Sequence, residues 1–197
     1  MKDVRTKFTL LILLCFIFAM DLSVIADSTV GVKGGEWIKY ELTVSGTPPN
    51  PMPQWVKLEI LNVTGTTVNL RMTTHMPDGT ENNQTGTIDV LAGSAILPGL
   101  VIPTNSKAGD SINMGPMGSA TIAGETTRTY AGASRTVVYS SFSQYGTQYT
   151  WYWDKQTGVA VEAMTTSTSF TSTAKATETN MWGGGFEFDW WLWVIII

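Results

Sequence analysis

The segment Glu36-Trp37-Ile38-Lys39-Tyr40-Glu41-Leu42-Thr43-Val44 alternates apolar and polar side chains, and Gln54-Trp55-Val56-Lys57-Leu58-Glu59-Ile60-Leu61-Asn62 does the same. A period of two marks a half-buried β-strand. Ile38, Tyr40, Leu42 and Val44 share one face, as do Val56, Leu58 and Ile60. An antiparallel pairing of Ile38 with Ile60, Tyr40 with Leu58 and Leu42 with Val56 also sets Lys39 against Glu59 and Glu41 against Lys57. Such cross-strand charge pairs contribute about 0.2–1 kcal/mol each. A slip by one residue would turn the apolar set to water. The connection, residues 45–53, holds four prolines and reads as a loop that cannot join a central strand. A third strand, Thr67 to Thr74, continues the pattern with Ile60 opposite Leu70, Leu58 opposite Met72 and Glu59 opposite Arg71. Glu59 is thus expected between Lys39 and Arg71 on the outer face.

Alternation dominates the rest of the chain, and helical periodicity is nearly absent after residue 27. Pro77-Asp78-Gly79 is a turn leading into a strand from Glu81 to Val90. Leu91 to Ser94 reads as a short helical turn, and the apolar run Ile96 to Pro103 is broken by Pro98-Gly99. Further strands are expected at Ser111 to Met114, Ala120 to Ala123, Thr126 to Tyr130, Arg135 to Phe142, Gln148 to Trp153, Val159 to Met164 and Thr166 to Thr177. Asp154-Lys155-Gln156-Thr157-Gly158 reads as a hairpin loop with Gly158 suited to positive φ. The expected fold is all-β: an antiparallel meander forming a strongly curved sheet, a half-barrel or a sandwich.

The two ends place this domain. Lys2, Arg5 and Lys7 precede the apolar run Phe8 to Met20, which is too short to span a bilayer as an ordinary helix. Val24-Ile25-Ala26 offers small residues for cleavage before Asp27, so residues 1–26 read as a signal peptide, with an uncleaved N-terminal anchor as the alternative. Cys15, the one cysteine, belongs to that run, which leaves residues 27–181 as a β-rich ectodomain without disulfides or Cys-ligated metals. Residues 182–197 read as a glycine hinge and the start of a membrane anchor. Trp182, Trp190, Trp191 and Trp193 form an aromatic belt there, before the Ile195-Ile196-Ile197 ending. The other reading is a last strand packing its tryptophans in the core. The expected location is extracytoplasmic, on the cell surface, held to the membrane through the C-terminal segment.

Composition narrows the partners. The net charge is −4, and charged residues make up 14% of the chain, so the clustered basic surface that nucleic acid requires is lacking. The solvent face is instead rich in Thr, Ser, Asn and Gln, and the Thr-rich stretch 165–179 reads as a strand with a polar outer face.

No catalytic motif emerges, and no cofactor is implied. His75 is the single histidine, beside a turn, and reads as a surface residue. Asp78 and Glu81 offer calcium-type oxygen ligands without the alternating spacing of a known loop. Glu41, Glu59, Glu125 and Glu162 lie on different strands, so glycosidase chemistry by paired carboxylates is a weak third reading. Asn62-Val63-Thr64 and Asn83-Gln84-Thr85 are glycosylation sequons. The aromatics carry the most information. Tyr149, Trp151 and Trp153 share one side of a strand, and Trp37 and Trp55 fall on the face assigned to solvent. Such rings stack on sugars, bind apolar ligands or mark protein contacts. The bland reading is a second core inside a curled sheet.

Gly34-Gly35-Glu36-Trp37-Ile38-Lys39-Tyr40, Ala108-Gly109-Asp110 and Tyr152-Trp153-Asp154-Lys155-Gln156-Thr157-Gly158 resemble turn motifs of a group of uncharacterised archaeal exported proteins. The likeness covers residues 31–193 and implies a signal peptide, a β-rich ectodomain and a C-terminal membrane helix. The architecture is also reminiscent of curved-sheet lipoprotein carriers of the LolA and LppX type, which implies binding of acyl chains, although this chain has little helix to plug such a sheet. Two readings of function follow: a non-enzymatic binding or surface-interaction module for a protein, glycan or lipid, and a carrier or sensor of a lipid-like ligand held in the curl of the sheet.

Overall fold

The computed structural model describes residues 29–94 and 97–183. The expected signal segment, Cys15, and the C-terminal run with Trp190, Trp191 and Trp193 lie outside the described residues. Alternating, β-branched sequence becomes eleven strands: β1 (Trp37–Gly46), β2 (Trp55–Thr64), β3 (Thr67–His75), β4 (Glu81–Asp89), β5 (Ser111–Asn113), β6 (Ser119–Thr121), β7 (Gly124–Tyr130), β8 (Ala133–Gln144), β9 (Thr147–Asp154), β10 (Ala160–Thr166) and β11 (Phe170–Thr179). The helical content of the described residues is a single 3-10 turn at Gly115–Met117. Residues 91–93 form a plain turn, not a helical one, held by backbone N–H groups of Leu91 and Ala92 donating to Asp89 Oδ1.

Nine strands make one antiparallel sheet in the order β4-β3-β2-β1-β11-β10-β9-β8-β7, and β5 and β6 form a separate hairpin. The chain thus builds two meanders, β1–β4 and β7–β11, and the last strand closes against the first: Tyr40 faces Ala176, Leu42 faces Ala174 and Val44 faces Ser172. The sheet is strongly curled. Arg128 of β7 donates to Glu162 of β10 at 3.1 Å, and Tyr130 Oη donates to the same carboxylate at 2.6 Å. Two strands separate β7 from β10, which in a flat sheet would hold their backbones about 14 Å apart. Burial and the hydrogen bond to Glu162 both push the Tyr130 phenol well above its ordinary pKa.

The β2–β3 register is the expected one, with Leu58 against Met72, Glu59 against Arg71 and Ile60 against Leu70. The β1–β2 register is not. Ile38 faces Leu58, Tyr40 faces Val56 and Lys39 faces Lys57, a shift of two residues from the expected pairs. A two-residue slip keeps every side chain on its own face, so burial does not select between the two registers. Partners on β11 decide it: Lys39 bonds Glu178 at 2.7 Å, and Lys175 stands opposite Glu41. Glu59 accordingly sits between Arg71 (2.9 Å) and Lys57 (3.1 Å), not beside Lys39.

The core lies on the inner face, where Ile38, Leu58, Ile60, Val68, Leu70 and Ile88 are buried. The segment between the two meanders covers part of it. Ile102 N donates to Gly158 O and Ala160 N donates to Leu100 O, both at 2.9 Å, which docks residues 100–102 beside the start of β10. Behind this segment Ile102, Ile112, Met114 and Ile122 pack on Val138 and Trp153 as a second cluster.

Gly158 is fixed by that docking. Its φ is +73°, and an added Cβ would press on the carbonyl of Ile102. Gly132 has a similar φ of +76° with open space around it. Gly158→Ala is expected to lower unfolding free energy clearly more than Gly132→Ala, which should cost about 1–2 kcal/mol from backbone strain alone. Chemical denaturation of both variants checks this, and equal losses would contradict the docking.

Candidate ligand-binding hollow

Beneath the covering segment the curl leaves a hollow of about 160 Å³ lined mainly by apolar side chains, with the ion-paired Glu162 also on its wall. One wall comes from Leu42, Val56 and Met72 on β1–β3, another from Ala163, Ala174 and Trp151 on β9–β11, and the roof from Leu97 and Leu100. Its cause is visible in the register. Leu42, Ala174, Ala163 and Trp151 are successive cross-strand neighbours on one face. The two central positions carry only methyl groups, so the large residues on either side cannot meet. Tyr40 closes the floor, its Oη donating to Ala160 O at 2.7 Å, and burial pushes its phenol far above its ordinary pKa.

The tryptophans divide by role. Trp153 is 0% exposed, stacked 5.8 Å from Trp151, with its indole N–H donating to Gly99 O at 2.6 Å. It is a core residue and so drops out as a contact on an exposed patch. Trp151 is half-buried, lines the hollow, and has a buried indole nitrogen with no acceptor among the described residues. Tyr149 sits one step further out, stacked on Phe142 at 5.3 Å. Trp182, expected in an interfacial belt, is instead buried in the main core. Its indole N–H donates to Tyr130 O, and the Arg135 guanidinium lies 4.9 Å from its ring centroid.

Trp37 and Trp55 do lie on the outer face, but half-buried within a cross-strand ladder. Lys57 stands 4.9 Å over Trp37, Lys39 stands 5.5 Å over Trp55, and His75 stacks on Trp55 at 5.0 Å. Each cation there also has a carboxylate, so the like-charged pair Lys39 and Lys57 is tolerated. These rings pack against the lysine side chains, and Trp55 also against His75. His75 also contacts Glu81 at 3.3 Å, and Asp78 accepts from Thr80 N at 2.9 Å. Among the described residues no group of three or more potential ligands is placed to hold a metal ion. Asn62 and Asn83 are exposed, each accepting a side-chain hydrogen bond from a neighbouring strand, Asn62 from Asn69 and Asn83 from Thr73.

A second, polar cleft of about 500 Å³ brings Glu125 and Asp154 together with Arg135 and Lys155. Both carboxylates are committed. Arg135 binds Asp154 at 2.7 and 3.0 Å, Thr157 adds two more donors to it, and Lys155 pairs with Glu125. The arrangement locks the Asp154–Gly158 loop in place. Of the glutamates considered for catalysis, Glu162 is held by Arg128 and Tyr130, and Glu59 by Arg71 and Lys57.

The hydrogen bonds from Arg71 and Lys57 hold the Glu59 carboxyl below its ordinary pKa. A depressed carboxylate stabilises the fold above its unfolded value, about pH 4.3, and that contribution is lost as pH falls through the lower folded value. Arg71→Ala is expected to shrink the loss of stability on acidification below about pH 4.3. Melting temperatures of wild type and variant between neutral and acidic pH check this; parallel curves would contradict it.

Among the described residues no helix is long and apolar enough to cross a membrane. A scan against protein-family models gives no match to this chain, and neither does a search of curated proteins.

Proposed function

We propose that the domain is a non-enzymatic binding module which holds a short apolar group, such as the end of a lipid chain, in the hollow of its curled sheet. The observation that carries this reading is the hollow itself. Its exposed surface is apolar, the one ionisable carboxylate on its wall, Glu162, is held by Arg128 and Tyr130, and it lies beside the buried residues of the inner face. A dry cavity of about 150 Å³ is known to take benzene or xenon, so this one suits a ring or a few methylenes. Ligand pockets for whole molecules run to about 300–1,000 Å³, so the rest of a longer ligand emerges from the mouth. The committed carboxylates of the polar cleft favour binding over hydrolysis.

The location belongs to the same proposal. A basic segment followed by an apolar run, a cysteine-free domain and a C-terminal Trp-rich apolar stretch support an exported protein held at the outer face of a membrane. The resemblance to exported archaeal proteins and to curved-sheet lipid carriers agrees with this reading. Leu97 and Leu100 of the covering segment roof the hollow, where this chain has no plugging helix among the described residues.

Ala174→Leu fills the hollow with a side chain that the surrounding Leu42, Val56 and Trp151 can accommodate. The full chain, gently purified from a lipid-containing host, is expected to retain an apolar adduct in native mass spectrometry, and Ala174→Leu is expected to lack it. Bare protein mass in both would sink the reading, as would an adduct equally retained by the variant.

A further inference from the structure

The charges of this domain are unevenly distributed, and their distribution follows the sheet. Residues 42–56, 136–153 and 163–174 contain no Asp, Glu, Lys, Arg or His. These three stretches take in the tips of the hairpins β1–β2, β8–β9 and β10–β11, together with nearly all of β8–β9. Strand order and antiparallel sense put all three tips at the same end of the sheet. That end is opposite to the one where the described chain enters, at residue 29, and leaves, at residue 183, because β1 runs away from the entry and β11 runs back to the exit. His75, opposite Trp55, and Asp78 and Glu81 also lie at that end, on β3 and the β3–β4 turn toward the far sheet edge.

The hollow belongs to this uncharged half. One step from its wall toward the tips, the same face carries Val44, Thr165, Tyr149 and Phe142. Val44 is 40% exposed. Beyond them stands Tyr145, 97% exposed at φ +50°, followed by Gly146 at φ +77°. A two-residue hairpin turn with both φ values positive ordinarily takes Asn-Gly or Gly-Gly. A bulky ring in the left-handed region is strained and gains nothing from packing here. A strained, fully exposed aromatic points to function, and Tyr is suited to the level of lipid headgroups.

We infer that this uncharged end, with Tyr145 at its tip, docks onto an uncharged lipid surface, so that a chain end passes between bilayer and hollow without crossing water. The inference rests on the proposed role of the hollow and names the partner of that site. Absence of charge is what such a surface demands, because each buried charge would have to be desolvated. An electrostatic partner would instead need a charged rim.

The test uses the full chain with Cys15→Ser and one added cysteine carrying an environment-sensitive fluorophore. The label stands at Thr168→Cys, in the exposed β10–β11 tip, or at Ser134→Cys, an exposed residue toward the opposite end. Comparing the two positions separates docking by this end from any attachment through the chain termini. Phosphatidylcholine vesicles are expected to shift the emission at 168 to the blue and leave 134 unchanged, with no loss on raising the salt. Tyr145→Asp, at a site too exposed to disturb folding, is expected to weaken the effect roughly tenfold. No change at 168, an equal change at both positions, or a response only to anionic vesicles that salt removes would overturn the inference. So would a response to a neutral polysaccharide in place of vesicles. If the adduct of the preceding section is retained while 168 stays silent, the docking fails and the hollow stands. If neither is seen, both fail.

Discussion

The pairing of β11 with β1 is the constraint on which the rest depends. Without it the chain would be two meanders, each with an open edge and an apolar face that a few strands cannot bury. With it, nine strands become one sheet long enough to curl on itself. The curl lets Arg128 and Tyr130 on the last edge strand reach Glu162, and it closes a core around Ile38, Leu58 and Val161. Loop closure between residues so far apart in sequence is entropically expensive. The ladder from Val44–Ser172 to Lys39–Glu178, with its backbone hydrogen bonds and side-chain pairs, must offset that cost.

The same pairing creates the hollow. It sets Ala174 between Leu42 and Ala163, so the middle of the inner face is lined by two methyl groups where its neighbours are large. A core normally interdigitates to crystal-like density. A gap framed by Leu42, Val56, Met72 and Trp151 forgoes dispersion contacts that larger residues at 163 and 174 would supply. Proteins seldom keep such a loss in a place so easily filled, and the proposed ligand is one that would complete the packing. The hairpin tips above the gap carry no charged side chain, which is consistent with the apolar ligand proposed.

Much of this fold was legible in the sequence, because local alternation specifies strands directly. Each expected strand corresponds to an observed one within a few residues, and Glu59 opposite Arg71 could be read from three consecutive pairs. The β1–β2 register was not legible. Its alternatives differ by two residues, bury the same faces, and are separated only by charge pairs worth a fraction of a kcal/mol. Glu178 and Lys175 settled the matter from a strand whose pairing with β1 leaves no local trace. The site was the least legible part. Trp37, Trp55 and Trp153 drew attention as large rings, yet two shield lysines and one fills a core. The hollow is made by what Ala163 and Ala174 lack. The available signal was an alanine at an inward position in each of two adjacent strands, which gains meaning only once those strands are known to pair.

An open apolar hollow in the curled sheet would admit a small apolar guest and hold no ordered water. X-ray diffraction from crystals under xenon pressure tests it most directly, because xenon occupies such spaces without help from polar groups. One strong xenon peak is expected among Leu42, Val56, Met72 and Trp151. Ordered water in that space, or side chains collapsed across it with no xenon bound, would contradict it.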